Sequence, residues 1–503
     1  MTRPHFLAAL LAAGISAPVA VSSSQSTPPL PPVAAPAAAA AAAPGARADT
    51  LELSIADAVT LALRSGEEAR IAAAQVQVAE AQATVARASA LPQLRVNGTY
   101  THVIENARAQ AVGSIFNQPN TYNTNLNISQ TLFQGGREIS AIRAARRVRE
   151  AARLDATETR AQVALDVQRA YLQVLFARRM VEISSSGLRL ADERLRQVEQ
   201  FQNAGRAARY DVLRARVERA NYEPTVIQAT SDFDLALIEL KRLANVPADR
   251  PVRLTSSIDT TTVNALLAAA RDSSLEPVER PSLRAARLTA EARHLGVSVA
   301  RADMLPTISV FFQTGYQAFP PSGFPTRWGE VAVVPCAPDA PAGCRPTTQQ
   351  NGGWFSDRSV GVQVSWPLFD GLRTKGNMDL ARAQARLADL ALQQEREAVS
   401  VEVARARADL ARARSLFEAR RQNAGEADEA FRLASLRFSR GLGTQLETSD
   451  AQLALLTAQT NEARAFYDLY LATAELARAL GRPVPLPTRG PAATRISFET
   501  KTP

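Results

Sequence analysis

The sequence predicts a mainly α-helical chain that also carries a membrane β-barrel portion, built from one helix–strand–strand–helix unit written twice. Three observations predict it. The corner "LFQGGR" at 132–137 returns as "LFDGLR" at 368–373, 236 residues further on. Each corner ends a stretch of alternating apolar and polar residues and opens a proline-free helical pattern, at 139–203 and 374–439. Finally, 46% of the residues are apolar but only 6% are aromatic. Alanine supplies much of the difference. It is the best helix former and a poor core filler, which favours long, closely packed helices over a thick globular core.

The elements follow in chain order. "MTRPHFLAALLAAGISAPVA" has a basic residue, a short apolar run and then small residues, the pattern of a secretory signal over 1–22. A low-complexity Ala/Pro linker occupies 23–48. The first repeat spans 49–247, an inter-repeat linker 248–280, the second repeat 281–484 and a Pro-rich tail 485–503. Helices are predicted at 54–89 and 281–303. Leu91-Pro92 and Leu305-Pro306 end them, because proline cannot continue a helix. "YNTNLNISQTLF", "LPTISVFFQTGY" and "DRSVGVQVSWPLF" then alternate one apolar with one polar face, as strands do.

Gly135, Gly136 and Gly371 supply the backbone freedom that a strand-to-helix corner requires. The long helices contain Gly187 and Gly425, read as tolerated interruptions costing about 1 kcal/mol each against alanine. They end at "NAGRAAR" and "RGLGTQ", and helices return at about 209–245 and 444–480. Gly205 falls on Gly441 at the same offset as the corners. The second copy carries about 22 extra residues between its strands, an insertion in one loop of a duplication.

A net charge of +9 invites a nucleic-acid reading. The arginines, however, interleave with acids along the helices, as in "RVREAARLDATETR", and no basic run is interleaved with aromatics. Solvated helix faces account for them, and no nucleic-acid partner is expected. The sequence has no Walker loop, HExxH, GxSxG elbow or dinucleotide fingerprint, and His102 and His294 lie far apart. Neither an enzyme nor a cofactor is expected. Cys336 and Cys344, in "CAPDAPAGC" within the insertion, suit a disulfide in an exported chain, worth about 2–3 kcal/mol by loop entropy. A metal or redox site is the other reading, without nearby histidines or acids to support it. Phe324, Trp328 and Trp354, in the same loop, suit either a lipid–water interface or loop packing.

Four strands with one apolar face cannot stand alone in water, and helices roughly 100 Å long cannot fold back as their cover. Lipid is the alternative cover. A sheet in lipid must close, and closed membrane barrels need about eight strands or more. At least two chains must therefore share one barrel, and three would give twelve strands.

The duplicated unit, the two corners, the Leu-Pro strand openings and "AGRAARYDVLRA" resemble the TolC family of outer-membrane efflux proteins over about residues 50–485. The resemblance implies a homotrimer in the outer-membrane lipid, with a 12-stranded barrel continuing into an α-helical periplasmic tunnel. It implies a passive exit duct of a tripartite efflux or type I secretion system, partnered by a periplasmic adaptor protein and an inner-membrane transporter. It also implies a gate at the periplasmic tip. There Glu447 and Asp450, on one helix face by their spacing of three, would form acid rings. The matching acid of the first copy is Asp211. The family's polar partners for that acid fall here on Gly443 and Phe438, so either Arg206, Arg209 or Arg440 replaces them or the closed state is weaker; Asp211 is expected to pair with one of those arginines. Adaptor contacts are expected at Gly205, Gly441 and Gly443.

The rival reading is an exported trimeric coiled-coil structural or adhesive protein. Such chains also give four strands to a shared barrel, but together at the C-terminus. Here the strands come as two pairs about 200 residues apart.

Overall fold

The computed structural model describes residues 50–105, 119–256, 279–337 and 344–482. The expected signal, the Ala/Pro linker and the C-terminal tail lie outside the described residues. In chain order the elements are β1 (Leu51–Leu53), α1 (Ile55–Ser65), α2 (Glu67–Ala88), β2 (Gln93–His102), β3 (Asn120–Gln134), α3 (Arg137–Asn203), α4 (Arg209–Leu243) and β4 (Val252–Leu254). They continue with α5 (Pro281–Ala302), β5 (Thr307–Ala318), β6 (Val331–Val334), β7 (Thr347–Gln350), β8 (Trp354–Ser365), α6 (Arg373–Ser439) and α7 (Gln445–Ala479).

The halves repeat one another in length. α2 and α5 have 22 residues each, α3 and α6 67, α4 and α7 35. A 67-residue helix reaches about 100 Å at 1.5 Å per residue. One detail differs from the sequence expectation. The helix expected over 54–89 is two helices broken at Gly66, whose backbone is extended at φ −63° and ψ 143°. A Cβ at Gly66 would lie 2.3 Å from the Ala62 carbonyl oxygen, so the break admits only glycine. The returning helix runs as expected through Pro224, which lies in the interior of α4. Pro224 faces solvent, where water can satisfy the carbonyl that loses its helical donor.

β2-β3-β5-β8 form one antiparallel sheet in that order. Register places Leu94, Ile128, Phe312 and Val360 in one row across it. The next row, on the opposite face, is Arg95, Asn127, Gln313 and Ser359. The amide of Asn97 donates to Asn125 Oδ1 at 3.2 Å within the polar face. The apolar face is open: Val96, Val360 and Val362 are 76%, 75% and 66% exposed. β2 and β8, ten and twelve residues long, are free edges among the described strands.

Two short sheets escape the sequence reading. β6 and β7 form a hairpin inside the insertion, beside which Cys336 and Cys344 are bonded with Cα atoms 6.2 Å apart. β1 and β4 pair in parallel, joining the chain start to the inter-repeat linker. Tyr171 pins that pair. Its hydroxyl donates to the Leu53 carbonyl at 2.9 Å and accepts from the Ser256 N–H at 3.1 Å. The main core lies here, where fully buried Ile55, Val167, Leu240 and Leu469 meet from α1, α3, α4 and α7. An ion cluster adjoins it. Arg280, at the start of α5, holds Glu158 of α3 at 2.6 Å and also Glu402 of α6. Arg478 of α7 contacts the same two carboxylates. Both halves are thus clasped at one level along the helices.

Candidate functional site

The two corners hold the sheet to the long helices. Gly135 and Gly136 take left-handed φ of 58° and 75°, and Gly371 takes 70°. A Cβ at Gly135 would lie 3.0 Å from the Ala302 backbone, so this corner needs glycine for space as well as angle. The second corner departs from the first: Leu372 stands where Gly136 does and is itself held at φ 70°. The first corner is tied by an ion pair from Arg137 to Asp303. The second is tied by Asp370, whose Oδ2 accepts from the Thr374 N–H at 2.9 Å.

At the opposite end of the helices the hairpin tips use one turn twice. The Arg206 N–H donates to the Phe201 carbonyl at 2.7 Å and the Leu442 N–H to the Arg437 carbonyl at 2.8 Å, around Gly205 and Gly441 at φ 71° and 75°. This is the glycine-closed helix end in which the sixth amide returns to the first carbonyl. The returning helices are then capped. Asp211 Oδ2 accepts from the Ala208 N–H at 3.0 Å, and Thr444 Oγ1 accepts from the Glu447 N–H at 3.2 Å.

Glu447 and Asp450 lie on one face of α7 and are both exposed. Arg437 Nη2 stands 4.0 Å from Glu447, and Asp450 makes no ion pair among the described residues. Asp211 forms no ion pair with an arginine among the described residues of the single chain. At the third helical position its carboxylate turns back to its own helix end. Arg206 instead lies over the Phe201 ring, 5.0 Å from the centroid. Arg209 and Arg440 form no ion pair among the described residues. At Gly443 a Cβ would already lie 3.2 Å from Glu447 Oε2.

The side of α7 turned away from Glu447 and Asp450 carries a clasp that the sequence reading missed. Arg194 of α3, its side chain only 8% exposed, donates to Gln452 Oε1 at 2.6 Å, Ser449 Oγ at 2.8 Å and the Thr448 carbonyl at 3.4 Å. Glu218 of α4 lies 3.7 Å from Arg194 and accepts from Ser449 Oγ at 2.9 Å. Gln452 Nε2 donates onward to the Gly187 carbonyl at 3.1 Å. Burial pulls the Arg194 guanidinium below its ordinary pKa, and the Glu218 charge opposes that shift. Gly187 is a close approach rather than an interruption: a Cβ there would lie 2.9 Å from Leu456 Cδ1 and 3.3 Å from the Tyr222 ring. The signal was in the spacing. Gly187, Ala191, Arg194 and Val198 occupy one buried stripe of α3 at four, three and four residues, so Arg194 stands at a core position.

Long paired helices, closed at one end by twin glycine turns and joined at the other by glycine corners to an apolar-faced sheet, have the architecture of an outer-membrane channel chain. The chain belongs to the outer membrane efflux protein family, which it matches over residues 59–246 and 274–482. Among curated relatives, it is 23% identical over 425 residues to the cobalt-zinc-cadmium resistance protein CzcC of Cupriavidus metallidurans, covering 84% of this chain and 89% of that one. It is 26% identical over 453 residues to the outer membrane protein OprJ of Pseudomonas aeruginosa, covering 85% and 87%. The crystal structure of VceC from Vibrio cholerae superposes with a TM-score of 0.67 at 20% identity, covering 86% of this chain and 97% of that one. Residues of both repeats fall inside these matches, so the family extends to both hairpin tips.

Proposed function

We propose that this chain is one of three protomers of a passive exit duct, serving a tripartite efflux or type I secretion system together with a periplasmic adaptor and an inner-membrane transporter. The observation that carries this reading is the open sheet. Among the described residues its apolar face has no protein cover, its two edges carry no further strand beyond a single bridge at Trp354, and its strands run directly into the 67-residue helices. Exposed edges of that length in hydrocarbon are untenable unless other copies close them. Three copies would give twelve strands, with the asparagine-rich face toward water and the valine face toward lipid.

The helices support the same assembly. α2 leaves Ile71, Val78 and Val85 exposed at seven-residue spacing, and α6 leaves Leu380, Leu387 and Val401 exposed on a seven-residue register. Within the chain α2 packs along α3, and α5 lies between α3 and α6. The two stripes are therefore free to mate between neighbouring copies as a coiled-coil seam. In this arrangement Glu447 and Asp450 of three copies ring the tip and favour cations, with Asp211 fixing the first hairpin beside them. Gly205, Gly441 and Gly443 leave the turns low enough for an adaptor to approach. Sedimentation of the detergent-solubilised protein tests the assembly: three chains per particle are expected, and a stable monomer contradicts the reading.

A further inference from the structure

Strands joined by a turn have their register fixed by it. A strand supplied by another copy has no such turn, and a slip of two residues keeps every side chain on its own face. The end of β8 remote from the corners carries a device suited to that problem. Segment 327–329 of the insertion lies along the β8 edge at Trp354. The Trp354 N–H donates to the Arg327 carbonyl at 3.0 Å, and its carbonyl accepts from the Gly329 N–H at 2.8 Å. Asn351 pins the segment: its Nδ2 donates to the Trp328 carbonyl and its Oδ1 accepts from the Glu330 N–H, both at 3.0 Å. The Trp328 ring also meets Tyr316 of β5 at 5.2 Å. From Ser356 onward the β8 edge carries no strand among the described residues.

Two observations indicate what fits that edge. Trp354 turns both backbone groups away from β5, so every second residue after it, from Ser356 to Val364, turns its own toward the same edge. By the same alternation Ala318 bonds Tyr122, and the even-numbered residues of β3 are those bonded to β5. The 236-residue offset keeps that phase, so β8 presents the edge that β3 presents to β5. The corners agree. At the first, Ala302 and Leu305 press on Gly135, and Arg137 meets Asp303. At the second, a Cβ on Gly371 meets nothing within 4 Å and the Arg373 side chain is 77% exposed. Ala88 and Leu91, 214 residues before Ala302 and Leu305, are the residues of a next unit that would press there.

We propose that segment 327–329 is a register stop: β2 of a second copy of this chain completes the β8 edge in the register that β3 takes on β5, and the stop prevents its sliding toward Trp354. The inference rests on the exit-duct reading, in which copies share one sheet, and adds which residues meet and what ends the pairing. Within the chain Leu126 stands opposite Thr314 and Asn127 opposite Gln313. Carried over by the two offsets, Val362 stands opposite Tyr100 of the second copy on the apolar face, and Gln363 opposite its Thr99 on the polar face.

Oxidative cross-linking of the full chain in detergent tests this. Cys336 and Cys344 are bonded to each other and do not compete. Gln363→Cys combined with Thr99→Cys is expected to link copies on a denaturing, non-reducing gel. Gln363→Cys with Asn97→Cys or with Thr101→Cys is expected to lose the link, because a two-residue offset carries the Cα atoms beyond the roughly 7 Å that a disulfide spans. Freeing the stop with Asn351→Ala and Trp328→Ala is expected to bring up the Asn97→Cys link, the slip toward Trp354. Equal linking at the three positions with the stop intact, or a pattern that freeing the stop leaves unchanged, overturns the proposal. Three-chain particles linked off register overturn this inference alone. Single chains by sedimentation, with no link from any pair, remove the exit-duct reading as well.

Discussion

The two halves are built to the same lengths and packed to different depths. α4 lies along α3 and buries few side chains, among them Val212 and Leu240. α7, its counterpart, lies against both α6 and α3 and buries Thr448, Gln452, Leu455 and ten or so residues beyond them. Duplication therefore copied the elements while the packing diverged. The second returning helix became the shared wall between hairpins, and it is the one that carries Glu447 and Asp450. Its anchor has no counterpart: Arg194 of α3 corresponds at the 236-residue offset to Ala430 of α6, which is exposed. Glu447 and Asp450 thus lie on a helix held from behind by the other repeat.

The largest effect is expected where that asymmetry is buried. Arg194→Ala leaves Glu218 and Gln452 without their shared partner in a nearly dry site. It should cost about 3–5 kcal/mol, read as a drop in the unfolding midpoint in detergent. Ala430→Arg, the reciprocal change on the exposed helix, should shift it little. Equal effects at the two positions would erase the difference between the halves.

The sheet should behave symmetrically instead, because Leu126 and Val362 occupy equivalent apolar positions of β3 and β8. Leu126→Arg and Val362→Arg should each cost about 2–4 kcal/mol of stability in a bilayer if lipid covers that face. Asn127→Arg and Gln363→Arg, one residue along on the other face, should be tolerated. Refolding into lipid vesicles over a denaturant series measures all four.

Glycines sharpen the comparison further. Gly187 is pressed by Leu456 and Tyr222, so Gly187→Leu should cost about 1–3 kcal/mol by overpacking. A Cβ at Gly425 meets nothing within 4 Å, and Gly425→Ala should gain about 1 kcal/mol from helix propensity. The smallest effect is at the corners. Leu372 is held in the left-handed region at a cost of about 1–2 kcal/mol, so Leu372→Gly should stabilise by about 1 kcal/mol once backbone entropy is counted. Gly136→Leu should destabilise. Thermal unfolding of the four variants beside wild type checks both signs.

Much of this was legible in the sequence because its signals are local. Corners, helix-ending Leu-Pro pairs and turn glycines each act within a few residues, and the helices end close to where those residues stand. The four strands of the main sheet also followed from counting alternating stretches. What escaped depends on distant partners. The three-residue β1 and β4 become strands only by meeting each other across about 200 residues. Arg194 reads as one more solvated arginine unless its place in the Gly187–Val198 stripe is noticed. The capping role of Asp211 also escaped, because a carboxylate at the third helical position reads as a surface acid until its own helix end is seen to donate to it.

The central claim, a duct closed at its hairpin tips by acids on the second returning helix, is tested most directly by single-channel conductance in planar bilayers. Wild type is compared with the Glu447→Gln/Asp450→Asn double variant. The account predicts a small, cation-selective conductance for wild type and a loss of cation preference in the variant. Identical selectivity in the two, from protein shown to be trimeric, would contradict a gate at these residues.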